Sequence, residues 1–429
     1  MRIGKHAPPF ATVAGCEGYA IAVAPFATPC EPMLLTHRPF LFYVGARSFS
    51  RFASQVAAVA VGWQVYELTG SAFQLGMIGL VQFIPTALLV FVAGHAADRY
   101  DRRRVMAACQ IAECAVAAFL AWGTLGGWIT VPQIFAAMAV LGIAGGFESP
   151  AVSALLPGVV PEGEVQRGTA ISTGAAQIVT IAGPAVGGFA YAFAPSFPYM
   201  LMAALWLLGA ALAGAITRER PVSAPAVPTF RALFAGVAFV RHNPAILGTI
   251  SLDLFAVLLG GAVALLPIYA SDILHAGPWG LGLLRAAPAV GALATTAVLA
   301  RCPITRRVGM RMFQAVIVFG VATVVFALSQ TMWLSLAALA VMGAADTVSV
   351  VIRFSLVLLA TPDDMRGRVG AVNFLFINAS NQLGQFESGV TAALLGTVSA
   401  AVLGGIGTVA VALLWMKLFP SLRKVERLE

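Results

Sequence analysis

Apolar residues along the 429-residue chain gather into long runs, broken by short clusters of Gly, Pro and charged residues. A helix of about 20 apolar residues crosses about 30 Å of hydrocarbon. Twelve segments meet that length, near 44–66, 74–97, 104–126, 131–156, 168–192, 196–216, 244–270, 279–300, 310–329, 332–360, 369–395 and 400–419. Most connectors are short, such as Gly126-Gly127 and Ala194-Pro195-Ser196. The longest separates the sixth and seventh segments and carries Pro221, Pro225 and Pro228. The pattern predicts an all-α polytopic membrane protein with 12 transmembrane helices in two six-helix bundles, at 39–216 and 244–420, joined by a cytoplasmic linker at 217–243 and closed by a tail at 421–429. Residues 1–38 form an N-terminal extension, expected to be disordered or a start-site artefact. Its first 32 residues lack helical periodicity, and they lack the basic region and apolar stretch of a signal peptide. Met33 stands just before the first patterned segment and is the expected natural start.

Composition agrees. The chain is 59% hydrophobic and 10% charged, with a mean hydropathy of +0.89. Soluble domains are nearer 45–50% apolar and about 25% charged, so a soluble enzyme is excluded. A disordered chain is excluded as well. An outer-membrane barrel is disfavoured, because its strands alternate polar and apolar residues. The net charge of +8 changes the picture only when read by position. All of the 26 Lys and Arg except Arg47, Arg51, Arg285 and Arg353 fall on one side, in the N-terminal segment, the even-numbered connectors and the tail. The odd-numbered connectors hold only the acids Glu67 and Asp272. By the positive-inside rule both termini are cytoplasmic, and the basic excess reports topology, not a nucleic-acid partner. Five scattered cysteines, Cys16, Cys30, Cys109, Cys114 and Cys302, include no CxxC pair and read as small apolar residues.

An internal repeat links the halves. Pro161-Glu162-Gly163-Glu164-Val165-Gln166-Arg167 follows helix four, and Pro362-Asp363-Asp364-Met365-Arg366-Gly367-Arg368 follows helix ten. Arg102-Arg103-Arg104-Val105 after helix two is echoed by Arg306-Arg307-Val308 after helix eight. Two related six-helix halves are a transporter signature.

The connector between helices two and three reads Gly94-His95-Ala96-Ala97-Asp98-Arg99-Tyr100-Asp101-Arg102-Arg103-Arg104. Asp98 can cap a turn or pair with an arginine, and the Arg cluster suits an interface with acids or anionic headgroups. The stretch resembles the G-x-x-x-D-R-x-x-R-R loop of the major facilitator superfamily, matched by Gly94, Asp98, Arg99, Arg102 and Arg103, with Asp101 where the commonest form has Gly. The resemblance implies two pseudo-symmetric bundles around a central cavity that opens alternately to either side. It also implies that Asp98 and its arginines latch the halves together in the outward-facing state. Helix five carries Gly174 and then Gly183-Pro184-Ala185-Val186-Gly187-Gly188. Proline frees a backbone carbonyl and the glycines allow close packing. This pattern resembles the G-P-x-x-G-G antiporter signature and tilts the direction towards efflux. Further stretches are similar to the bacterial transmembrane secretion effectors, the branch of the enterobactin exporters. They are Gly70-Ser71-Ala72-Phe73-Gln74-Leu75-Gly76, Leu265-Leu266-Pro267, Gly277-Pro278-Trp279-Gly280-Leu281-Gly282, Met365-Arg366-Gly367-Arg368-Val369 and Gln385-Phe386-Glu387-Ser388-Gly389. That likeness implies the bacterial inner membrane.

Ionisable residues in a membrane face a cavity or a partner. Nine fall inside the predicted helices: Arg47, Arg51, Glu113, Glu148, Asp253, Arg285, Asp346, Arg353 and Glu387. Arg47 and Arg51 share a face, and Glu148 is expected to pair with one of them. Asp253 and Asp346 lie near mid-depth and are the first candidates to carry a coupling proton, against a static ion pair with Arg285 or Arg353 or direct contact with the substrate. Glu113 is expected to make a structural hydrogen bond. Glu387 shares helix eleven with Asn373, Asn378, Ser380, Asn381, Gln382 and Gln385, expected to form a polar cavity wall.

These readings converge on a secondary active transporter, with proton-coupled efflux of a small amphipathic molecule such as a siderophore, drug or other metabolite. The alternative is an uptake permease of the same fold. A membrane enzyme or receptor fits less well. His6, His37, His95, His242 and His275 lie at ends or connectors, and neither HExxH nor a P-loop occurs. No catalytic residue, metal or cofactor is expected. The expected partners are a small-molecule substrate, protons and lipid, and the protein is expected to be a monomer.

Overall fold

The computed structural model of the protein describes residues 33–161, 163–217, 230–302, 304–362 and 365–426. Twelve long helices follow one another: α1 (Arg38–Thr69), α2 (Ala72–Arg99), α3 (Arg102–Leu125), α4 (Val131–Val159), α5 (Val165–Phe193), α6 (Phe197–Ala215), α7 (Pro244–Ile273), α8 (Gly277–Arg301), α9 (Val308–Leu328), α10 (Met332–Leu359), α11 (Arg366–Leu395) and α12 (Thr397–Leu418). Each coincides to within a few residues with an apolar run, except that α1 begins earlier. The expected extension at 1–32 and the linker's 218–229 lie outside the described residues. The rest of the linker is a helix, Phe230–His242, packed on α11.

Local chemistry sets the helix ends. Gly70 closes α1 at φ 60°, where a side chain is disfavoured, and Ser71 starts α2 by accepting from the Gln74 amide. Thr130 and Gln133 form a capping box on α4. Asn243 accepts from the amides of Ala245 and Ile246 at the start of α7. The span of α7 is interrupted at Gly260-Gly261, then continues through a tight turn at Ala262–Leu265 and a wide one at Tyr269–Ile273.

Helix packing repeats between the halves. In the first half α3 packs on α6 and α4, α2 on α4, and α1 on α5 and α6. In the second half α9 packs on α12 and α10, α8 on α10, and α7 on α11 and α12. Adding six to each label turns one set into the other, as two related bundles require. Across the halves α5 meets α8 and α2 meets α11, a pair related in the same way.

The outer surface is apolar. Leu88, Phe193, Trp333 and Leu394 are each at least 75% exposed, which suits hydrocarbon and not water. Ten of the twelve helices are apolar enough to cross a membrane by composition. The other two are α1 and α11, and both send polar side chains inward.

Candidate transport cavity

A cavity of about 900 Å³ lies between the halves. Helix α1 supplies one wall, with Arg47, Ser50, Arg51, Ser54 and Gln55 at three- and four-residue spacing on a single face. Glu113 of α3, Glu148 of α4 and Gln177 of α5 continue it. The second half contributes Arg285 of α8 and Asn378, Asn381, Gln382 and Gln385 of α11. Leu75, Ile78, Met138, Leu141 and Val263 make the remaining wall apolar.

The cavity is closed at one end. The closest backbone approaches between the halves lie in the last half of α5 and α11 and the first half of α2 and α8. A Cβ on Gly188 would stand 2.5 Å from the Pro278 carbonyl and 3.0 Å from Gly282 Cα, and a Cβ on Gly76 would stand 2.9 Å from Gly389 Cα. Backbones approach this closely only where side chains are absent. The Tyr66 hydroxyl donates to Asp272 across the halves, and Tyr191 donates to Glu67 at 2.7 Å beside it. This is the end that bears the two acids of the odd-numbered connectors. Towards the opposite, basic end, the cavity-lining Arg51, Ser153 and Thr173 are exposed. Tyr66→Phe removes one bond of the seal. We expect it to weaken closure by about 1.5–3 kcal/mol, the range for hydrogen bonds to charged groups. Faster labelling of a cavity cysteine from the acidic end is the measurement.

Several expected site residues meet here: Arg51, Glu148, Arg285, Asn378 and Asn381 all line the cavity. The expected ion pair of Glu148 with Arg47 or Arg51 does not form. Glu148 instead accepts from Ser50 Oγ at 2.8 Å and Gln110 Nε2 at 2.6 Å, while Arg47 donates to Ser172 Oγ at 2.7 Å on α5. Two neutral donors, Ser50 of α1 and Gln110 of α3, hold the carboxylate, and among the described residues no carboxylate makes an ion pair with Arg51.

Asp253, Asp346 and Arg353 lie apart from the cavity. Arg353 pairs closely with Asp253 and stands 3.5 Å from Asp346. Asp346 and Arg353 border a small crevice between α7, α9 and α10, and Asp253 is joined to it through its pair with Arg353. The static ion pair, not the free mid-membrane acid, is what forms. Glu387 also points elsewhere, accepting from Thr391 at 2.8 Å on its own helix. The polar stretch of α11 is therefore cavity wall at 378–385 and self-bonded at 387–391.

At the basic end Arg102, 4% exposed, donates to the Ala154 carbonyl at 2.8 Å, and Arg103 donates to Ile216 at 2.6 Å. These bonds tie the loop to α4 and the end of α6 in its own half. The Asp98 side chain lies outside the described residues. Asp101, the departure from the loop pattern, caps α3: its Oδ1 accepts from the Arg103 amide at 3.0 Å, a role glycine cannot fill. In helix five, Gly183 and Gly187 admit α1 at Gln55 and Val56, and Gly188 admits α8. Gly174 faces open space, so the first glycine of that pattern packs against nothing.

Sequence reading missed two features. Glu113 is 3% exposed and its buried Oε2 has no hydrogen-bond partner, so the expected structural bond at that oxygen is absent. The Tyr66–Asp272 bond joins residues 206 positions apart, and no local pattern announces such a pair.

Twelve long helices among the described residues, ten of them apolar enough to span a membrane, form two repeated halves around a polar cavity, the architecture of a membrane transporter. The chain belongs to the Major Facilitator Superfamily, whose family model matches residues 44–384. It is 27% identical over 419 residues to the enterobactin exporter EntS of Citrobacter koseri, covering 92% of this chain and 95% of that one. It is 25% identical to the exporter of the same name from Escherichia coli, with the same coverage. Among solved structures, the nucleoside transporter NupG superposes with a TM-score of 0.72 at 14% identity, covering 89% of this chain and 100% of that one. A bacterial homologue of the iron transporter ferroportin, solved in an inward-facing state, superposes at 0.68 and 17% identity, covering 90% and 99%. At such identities these structures speak to the fold alone.

Proposed function

We propose that this chain is a monomeric secondary exporter of the bacterial inner membrane, with both termini in the cytoplasm. It takes a small amphipathic molecule from the cytoplasm in exchange for protons. The basic end is then cytoplasmic, and the described conformation is open inward. The observation that carries the reading is the cavity itself: polar on α1 and α11, apolar between them, and closed at the acidic end. The exporter names of the relatives support the outward direction, and enterobactin is the first compound to test.

Asp253 and Asp346 are engaged with Arg353 off the wall, so we assign the coupling proton to Glu113 and Glu148. Around them, Gln110 Oε1 and Glu113 Oε2 are buried acceptors without a donor. A proton on a carboxyl supplies the missing donor. A substrate filling the cavity separates these acids from cytoplasmic water, so loading and proton exchange alternate, as antiport requires.

Mass spectrometry of the native host's medium, with and without the gene, identifies the exported compound. Everted vesicles then test coupling. A proton gradient is expected to drive accumulation, and Glu113→Gln and Glu148→Gln are expected to abolish it while leaving downhill exchange. Gradient-driven accumulation that survives in both variants overturns the assignment. Net uptake by right-side-out cells overturns the direction.

A further inference from the structure

The cavity carries more positive charge than its surroundings balance, and this sets the chemistry of the molecule it takes. Resting on the reading of this cavity as the transport site, we propose that Arg51 and Arg285 form an anion-binding site, and that the substrate is amphipathic with an acidic group such as a carboxylate, sulfonate, phosphate or phenolate.

Three observations carry this. First, Arg51 lines the cavity and is exposed within it, and among the described residues no carboxylate makes an ion pair with it. A guanidinium inside a membrane protein that lacks a carboxylate is incompletely compensated. Second, Arg285 of the opposite half is in the same condition: it donates to the backbone carbonyl of Ala58 and has no ion-pair partner among the described residues. Third, no nearby acid makes an ion pair with either arginine among the described residues: Glu113, which also lines the cavity, is 3% exposed and makes none. Glu148 is held by Ser50 and Gln110, and Asp253 and Asp346 are held by Arg353 outside the cavity.

The two cations are ordered along α1. Ala58, which receives Arg285, follows Arg51 by seven residues, or about 10 Å of helix rise. Arg51 lies towards the open, basic end and Arg285 towards the closed end, next to the apolar wall of Leu75, Met138 and Val263. A molecule with its acidic group at Arg51 would lay its apolar body along that wall and reach the α11 amides with its neutral polar groups. A guanidinium offers a planar fork of donors that matches an oxyanion better than a lysine would. Because one arginine comes from each half, the same anion would bridge both bundles, and its binding would bear on whether they close around it.

The test uses full-length protein in lipid nanodiscs and a matched pair of probes, 2-naphthoate and 2-naphthamide, which differ in charge but hardly in shape. Calorimetric titration is expected to show naphthoate binding at least ten-fold tighter. Arg51→Gln should erase that preference and Arg51→Lys should keep most of it. Arg285→Gln should reduce it, and Arg306→Gln, in a connector outside the cavity, should leave it unchanged. Arg51→Glu should transfer the preference to 2-naphthylmethylammonium. Equal affinity for acid and amide in the parent protein overturns the proposal. So does a preference that survives in both Arg51→Gln and Arg285→Gln. Should Arg285→Gln fail to fold, the three Arg51 variants decide alone. These are binding readouts, so failure of outward transport in vesicles would remove the export reading and leave this one standing.

Discussion

Replacing Gly188 or Gly282 by alanine is expected to open the acidic end of the cavity and shift the protein towards its other conformation. The seal between α5 and α8 is backbone against backbone. A Cβ on Gly282 would stand 2.6 Å from the Pro184 carbonyl and 3.1 Å from Ala185 Cα, and one on Gly188 would stand 2.5 Å from the Pro278 carbonyl. Neither partner is a flexible side chain that could swing aside, so the helices must separate. Overpacking of this kind costs about 1–3 kcal/mol. In the form open at the acidic end the methyl meets no opposing helix, so the cost falls on one conformation only. The expected change is roughly 5- to 150-fold in the ratio of the two forms. The measurement is labelling of a cysteine at Val263, on the cavity wall, by a membrane-impermeant maleimide added from the acidic side of a variant lacking native cysteines. Faster labelling in Gly188→Ala and Gly282→Ala is expected. Gly174→Ala, whose methyl enters open space, should label like the parent. Unchanged labelling in both seal variants would show that these glycines do not set the equilibrium.

The same glycines mark how far the fold and site could be read from the chain. The twelve spans were legible because an apolar run of fixed length is a one-dimensional signal, and the lipid demands it at every crossing. Gly76, Gly282 and Gly389 sit in stretches whose only mark in the sequence was likeness to a branch of transporters, and the structure shows why these positions matter: they are where the halves touch. The charged residues were legible as a class but not as partners. Arg51, Glu148 and Arg285 reach the cavity as expected, yet Glu148 is diverted by Ser50 and Gln110. The choice between a neighbouring arginine and two neutral donors depends on how α1, α3 and α4 are rotated against one another, which periodicity does not specify. Glu113 shows the converse limit. Its helix sits at the periphery in a simple ordering, but one face of α3 turns inward far enough for Glu113 to border the cavity.

Arg353→Met is expected to be the most destabilising single change among the intramembrane charges, and this separates structural from transport roles in the second half. Arg353 is 7% exposed and Asp253 8%, so each depends on the other for compensation. Breaking a buried pair by removing one partner costs about 3–5 kcal/mol, because the remaining charge is stranded. Removing Arg353 strands two acids, Asp253 and Asp346, whereas Asp253→Asn leaves the arginine with Asp346 and should cost less. Asp346→Asn, which loses only the 3.5 Å contact, should cost least. The double variant Asp253→Leu with Arg353→Met fills the space with apolar atoms and removes both charges, and it is expected to recover most of the loss, since such replacements are often neutral or stabilising. Thermal unfolding of the purified protein, followed by size-exclusion of the surviving monodisperse fraction, ranks the four. A proton-carrying acid would give the opposite pattern: Asp253→Asn would keep the stability and lose gradient-driven transport. The ion pair predicts that the folded fraction of Asp253→Asn still transports, because the cluster joins α7 to α10 and none of its residues lines the cavity.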